Sequence, residues 1–187
     1  MDSEKKALLE LIENYKPADE NEQAFKLKMI DLLAYENCFE RSLLHAHFTA
    51  SAWVVDERRE HALLLHHAKL DKWLQLGGHA DGDANLLRVA QKELEEESGA
   101  TGFTLLSTEI FDLDIHNIPE RKGIPAHDHY DVRFCFKGSL LNTLNKNHES
   151  KDLAWIPLAE ITKLCNGNDS IMRMVNKTLA NNGNLSV

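Results

Sequence analysis

The chain has 187 residues, 43% hydrophobic and 27% charged, a balance that excludes wholesale disorder and suits one domain with room for an extension. Its 21 Lys and Arg against 30 Asp and Glu leave a net charge of −9. That excludes general binding to nucleic-acid polymers, because phosphate contacts need clustered cations; a small phosphorylated ligand stays compatible if a divalent cation lies between the anions. Cys38, Cys135 and Cys165 are far apart and form no CxxC pair, so they are read as reduced thiols. The start MDSEKKALLE has no apolar signal core, and no aliphatic run nears the roughly 20 residues a bilayer requires. The expectation is a soluble, cytoplasmic protein without a membrane partner.

In chain order, Leu8, Leu9, Ile12 and Tyr15 recur at helical spacing until Pro17 breaks the run, and Phe25, Met29, Leu32, Leu33, Tyr35 and Phe39 continue as a second helical pattern. Residues 1–47 are therefore expected to be a helical N-terminal extension, serving either as packing against a main domain at 48–187 or as a homodimer contact. Phe48–Val55 and Ala62–His66 predict a hairpin about the charged turn Asp56–Glu60. Lys72–Leu76 predicts a short strand ending at Gly77-Gly78, and a helix is expected from about Ala84 to Ser98. Strands at Thr104–Ile115, Tyr130–Lys137 and Leu153–Ile156 follow, then helices around Leu158–Leu164 and Ser170–Ala180. Such an order predicts an α+β class.

The most informative stretch is GGHADGDANLLRVAQKELEEESGA, Gly77–Ala100. Asp83 suits a helix N-cap and Gly99 a left-handed helix end. Leu87, Ala90 and Leu94 make an apolar stripe, and beside it Glu93, Glu96 and Glu97 share one face at i, i+3 and i+4. Like charges at this spacing repel, and the helix dipole disfavours anions near a C-terminus. A hard dication such as Mg2+ or Mn2+, which prefers carboxylate oxygens, reverses the sign of both effects. The alternative is a merely solvated acidic face.

This stretch resembles the signature of the Nudix hydrolase family, G-x5-E-x7-R-E-U-x-E-E-x-G-U with U aliphatic. With Gly78 on the first glycine, Glu93, Leu94, Glu96, Glu97 and Gly99 fall in register and Ala100 takes the last position, whereas Ala84 replaces a glutamate and Lys92 an arginine. Asp81 or Asp83 stands ready to replace the missing glutamate's support of the loop, and Lys92 offers a point charge in place of a planar fork. The motif covers 23 residues and the strand order extends the resemblance to about Phe48–Leu164. It implies a Nudix-like α/β/α sandwich with a mixed sheet, and hydrolysis of a nucleoside diphosphate linked to another moiety by water attack on phosphorus. It implies Mg2+ or Mn2+ held by Glu93, Glu96, Glu97 and the Gly78 carbonyl. The general base would be Glu97, less favourably Glu96, or Glu149 in a later loop. The partner implied is a small nucleotide-derived substrate. The alternative is a Nudix-fold nucleotide-binding or regulatory domain with little turnover.

His79 follows the double glycine and is expected to border the phosphate site. In HDHYDVRF, His127, His129, Asp131 and Arg133 alternate onto one strand face, with His116 at the end of the preceding strand. One reading is a substrate wall in which His129 or Arg133 meets a phosphate or base. A second is a transition-metal site using His127 and His129, and a third is ordinary surface or network histidines. His45 and His47 precede the first strand and are equally compatible with solvent exposure.

Overall fold

The computed structural model describes residues 2–121, 123–148 and 150–182. The chain divides into two compact units. The first comprises Met1–Ser51, Gly77–Gln91 and Ser107–Phe134; the second comprises Ala52–Leu76, Lys92–Leu106 and Cys135–Val187. Strands β1 (Ala46–Val55) and β7 (His127–Lys137) and helix α3 (Leu86–Ser98) run through the unit boundaries.

The first unit opens with α1 (Ser3–Asn14) and α2 (Glu20–Leu32). Asp2 caps α1 by accepting from the Lys5 amide at 2.8 Å, and Asp19 caps α2 by accepting from the Glu22 amide at 2.8 Å. Each cap satisfies an amide with no partner inside its helix. Leu8, Ile12, Met29 and Leu32 are buried, so the apolar stripes read from the sequence do form packed faces. Glu22 is also buried; the Tyr15 hydroxyl donates to it at 2.5 Å and the Ala18 amide at 2.6 Å, which secures the Pro17 turn. The second helix ends at Leu32 rather than running on to Phe39. The following residues fold into turns, and Phe39 stacks on Phe48 with ring centroids 5.3 Å apart.

The predicted strand Thr104–Ile115 is two strands, β5 (Thr104–Leu105) and β6 (Asp112–Ile118). β6 pairs antiparallel with β7 in a register that sets Asp112 opposite Arg133, Asp114 opposite Asp131 and His116 opposite His129. The predicted strand at Lys72–Leu76 likewise divides into β3 (Lys72–Leu74) and β4 (Leu76–His79), and β4 pairs with β1. Gly77 permits that pairing: a Cβ there would lie 2.3 Å from Ser51 Oγ and 2.6 Å from the Ala50 carbonyl.

In the second unit the expected hairpin is present, β1 pairing with β2 (His61–His67) through Val54↔Leu63 and Val55↔Ala62. Along its other edge β2 pairs with β3 and with β8 (Ser150–Pro157). Helices α4 (Leu158–Leu164) and α5 (Asp169–Asn182) follow, and the buried Trp53 donates its indole N–H to Thr178 Oγ1 at 2.9 Å. In hydrogen-bonding order the strands run β3–β2–β1–β7–β5, with β4 on β1, β6 on β7 and β8 on β2. Among the described residues no helix is long and apolar enough to cross a membrane.

Asp56 organises the β1–β2 turn. Its carboxylate is buried and accepts from the Glu60 amide at 2.7 Å and the His61 amide at 2.9 Å. Burial pushes its pKa up, but these amide bonds and the His61 ring outweigh burial and leave it below the usual carboxylate value. A depressed folded-state pKa adds stability above the unfolded value, about 3.9, and that stability is lost as pH falls through the folded value. Asp56→Ala is therefore expected to cost roughly 1.5–3 kcal/mol at neutral pH. In denaturant titrations at several pH values the deficit should narrow below about pH 4; a deficit of constant size would exclude the charge as its source.

Candidate functional site

In the second unit, α3 ends on the three acids. Glu93 and Glu97 are half-buried and Glu96 is exposed, and the last turn of the helix carries no basic residue. Lys92 Nζ lies 3.8 Å from Glu96 Oε1, both side chains being more than half exposed, so its contribution is that of a weak surface pair. The helix end itself is anchored. Ser98 is buried and donates to the Leu94 carbonyl at 2.5 Å, while the Ser98 carbonyl accepts from the Asn145 amide at 2.7 Å. Gly99 has φ +59°, and a Cβ there would fall 2.4 Å from the Asn145 carbonyl. Gly99→Ala is therefore expected to add left-handed strain of about 1–2 kcal/mol to a steric clash. Thermal melting should drop by several degrees, at roughly 2–4 °C per kcal/mol; an unchanged midpoint would mean the anchor relaxes freely. Glu149 lies outside the described residues.

The start of α3, in the first unit, departs from expectation. The cap is Asn85, whose side-chain oxygen accepts from the Arg88 amide at 3.0 Å. Asp83 lies two residues too early to cap; it accepts from the Asn85 amide at 2.8 Å and pairs with the Arg88 guanidinium. The buried stripe is Leu86, Val89, Ala90 and Leu94, with Leu87 half-buried. Ala84, the alanine standing for a glutamate, is buried, and the loop before it is held from elsewhere. Arg41 donates to both Asp81 oxygens at 2.6 and 2.7 Å, and the Gly82 amide donates to the Phe39 carbonyl at 2.9 Å.

The same unit carries a polar face across β6, β7 and β1. Period-two alternation puts His47, Thr49 and Ser51 on one face of β1, and His127, His129, Asp131 and Arg133 on one face of β7. Asp131 accepts from Thr49 Oγ1 at 3.0 Å and from Ser51 Oγ at 2.9 Å to both of its oxygens. Arg133 is 2% exposed and reaches three carboxylates: Nε to Asp131 at 2.7 Å, one terminal nitrogen to Asp112 at 3.0 Å and the other to Asp114 at 3.1 Å. Burial lowers its pKa, but Asp114, Asp131 and Asp112 outweigh burial and raise it, so the guanidinium stays charged. The expected ligand-facing arginine is instead an internal tie, its fork filled by carboxylates of the protein.

Above that tie lie five histidines. His47 is 3% exposed, not solvent-facing, and its ring centroid lies 5.3 Å from His79, 5.0 Å from His127 and 5.1 Å from His129. His129 lies 4.7 Å from His79, 5.4 Å from His116 and 5.2 Å from His127. Burial first, then the neighbouring imidazoles, lowers the pKa of His129 to about 2. Burial and then Arg41 and His47 lower that of His79 to about 4. These rings are neutral at physiological pH. His79 and His129, both expected to face substrate, thus meet each other in this cluster. Asp112, Asp114, Thr49 and Ser51 carry no motif in the sequence; their signal is the alternation in DLDIH and HFTAS, hidden in β1 because both of its faces are buried.

Trp73 stacks on His66 at 5.0 Å with an 11° interplanar angle. It lines a groove of about 360 Å³ with Cys165, Asn166 and Asn168 in the second unit.

The NUDIX domain model matches residues 45–175 of this chain. Among solved structures, the chain is similar to an Ap4A hydrolase of C. elegans in a binary complex, with 17% identity, 74% of this chain and 98% of that one covered, and a TM-score of 0.60. It is also similar to the MutT protein of Methanosarcina mazei Go1, with 18% identity, 75% and 97% covered, and a TM-score of 0.56. A NUDIX-family hydrolase from Clostridium perfringens gives 22% identity, 72% and 97% coverage and a TM-score of 0.54. At these identities the likeness is one of fold. No curated protein sequence matches the chain.

Proposed function

The chain belongs to the NUDIX family of hydrolases acting on phosphoric anhydrides, and from that premise we propose that it is a metal-dependent pyrophosphohydrolase of a nucleoside diphosphate linked to another moiety. The observation that supports this most is the placing of Glu93, Glu96 and Glu97 on one accessible face at the end of α3, with no cation in its last turn. Such a face is unfavourable for the helix by itself and offers only carboxylate oxygens, the donor set of Mg2+ or Mn2+. When bound, the dication neutralises the diphosphate and lowers the pKa of a water.

The chain's own part is positional and protolytic. Glu93, Glu96 and Glu97 would supply ligand oxygens, held in place because Ser98 and Gly99 fix the helix end. Glu97 takes the proton of the attacking water on a carboxylate oxygen, the role of general base. A second reading, a nucleotide-binding domain with little turnover, draws on Lys92, an exposed point charge where the family signature has arginine.

Phosphate or pyrophosphate release from a panel of nucleoside triphosphates, dinucleotides and sugar nucleotides, with Mg2+ or Mn2+, separates the two. The expected result is anhydride cleavage that EDTA abolishes. Binding across the panel without release would establish the second reading.

A further inference from the structure

The geometry points to a binding site for a transition-metal dication of the zinc class formed by His47, His127 and His129, chemically unlike the carboxylates of α3. All three lie in the first unit, and one ring nitrogen from each falls within 4.8 Å of those of the other two. Tetrahedral Zn2+ with bonds of about 2.0–2.1 Å needs nitrogens roughly 3.3 Å apart, so the three rings draw together when the ion binds.

The tautomers are already arranged. His47 Nδ1 lies 3.4 Å from the Leu43 carbonyl and His127 Nδ1 lies 2.9 Å from the Pro125 carbonyl. A carbonyl only accepts, so each Nδ1 carries the proton and each Nε2 keeps its lone pair. Donation of the second ring nitrogen to a carbonyl is how proteins orient a metal-binding imidazole. Among the described residues, His47 Nε2 and His129 Nε2 are buried and have no hydrogen-bond partner. Two orphaned buried nitrogens on adjoining rings are costly, about 1–3 kcal/mol each, and one shared electrophile satisfies both. The donor set excludes Mg2+ and Ca2+, which take oxygen, and suits zinc and its neighbours. His79 adjoins the cluster, its ring 4.7 Å from that of His129. His116 accompanies the cluster from outside, its Nδ1 3.2 Å from Asp114.

The test uses the purified full chain, stripped of metal and titrated with Zn2+ or Co2+. Wild type is expected to bind one Zn2+ with a rise in melting temperature, and Co2+ should give the intense visible absorption of tetrahedral nitrogen ligation. His127→Gln alters a half-buried ring and should weaken zinc binding more than the roughly 10–100-fold seen for loss of an outer partner. The double variant E93Q/E97Q should keep the cobalt spectrum, because its changes touch only oxygen donors. Imidazole nitrogen NMR of wild type needs no variant at all: zinc should shift the Nε2 signals of these three histidines together. Absence of the cobalt band, unshifted imidazoles under saturating Zn2+, or an unweakened His127→Gln would each overturn the site. None of these readouts depends on nucleotide hydrolysis, so the site and the proposed activity fail separately.

Discussion

Glu97→Gln is expected to abolish turnover and leave the protein as stable as before, or slightly more so. The substitution keeps shape and hydrogen-bonding reach but removes the charge that holds a metal or takes a proton. Loss of a positioned general base costs about 10²–10⁴-fold in rate, and loss of a ligand adds to that. On the stability side, Glu93 and Glu97 are four residues apart on α3, where like charges cost a few tenths of a kcal/mol. Neutralising one should therefore raise the melting temperature marginally. This opposition, rate down and stability level or up, is the mark of a residue retained for chemistry. Steady-state kinetics with Mn2+ beside a thermal melt measure both. Full activity in the variant would remove the acidic triplet from the mechanism.

The second large effect is on stability. Arg133→Met removes the guanidinium from a buried group that contains Asp112, Asp114 and Asp131. Breaking a buried pair by deleting one partner costs about 3–5 kcal/mol, because the remaining charge is left without compensation, and here three carboxylates lose it together. A fall in melting temperature on the order of 10 °C follows. Arg133→Lys should recover only part of the loss, since an ammonium lacks the planar fork that spans several carboxylates. A ligand-facing arginine would instead raise KM with an unchanged melt; that outcome would overturn the internal tie.

The local features were legible because they rest on short-range rules. Caps, turn glycines and apolar periodicity placed α1, the β1–β2 hairpin, α4 and α5 close to where they lie. Gly99 was read as a left-handed helix end and has φ +59°. Glu93, Glu96 and Glu97 share a face because 3.6 residues per turn requires it. Where two short-range signals compete, the tertiary surroundings choose between them. Asp83 and Asn85 are both good caps, and Asn85 took the role because the Arg88 amide lies within its reach while Asp83 is engaged by the Arg88 side chain. The helical pattern through Phe39 was apolar periodicity without a helix, since turns after Leu32 bring Phe39 against Phe48 from another direction.

What the amino-acid sequence determined by itself was the family, the acidic face of α3 and the sign of its electrostatic problem, all carried within 23 contiguous residues. What only the tertiary structure decided was the partnership of residues remote in the chain. His47 meets His127 and His129, Ser51 meets Asp131, and Arg133 lies among three aspartates instead of facing solvent. Those meetings depend on strand register, where a slip of one residue sends every side chain to the opposite face, and register is set by pairing between strands rather than by any one strand's composition.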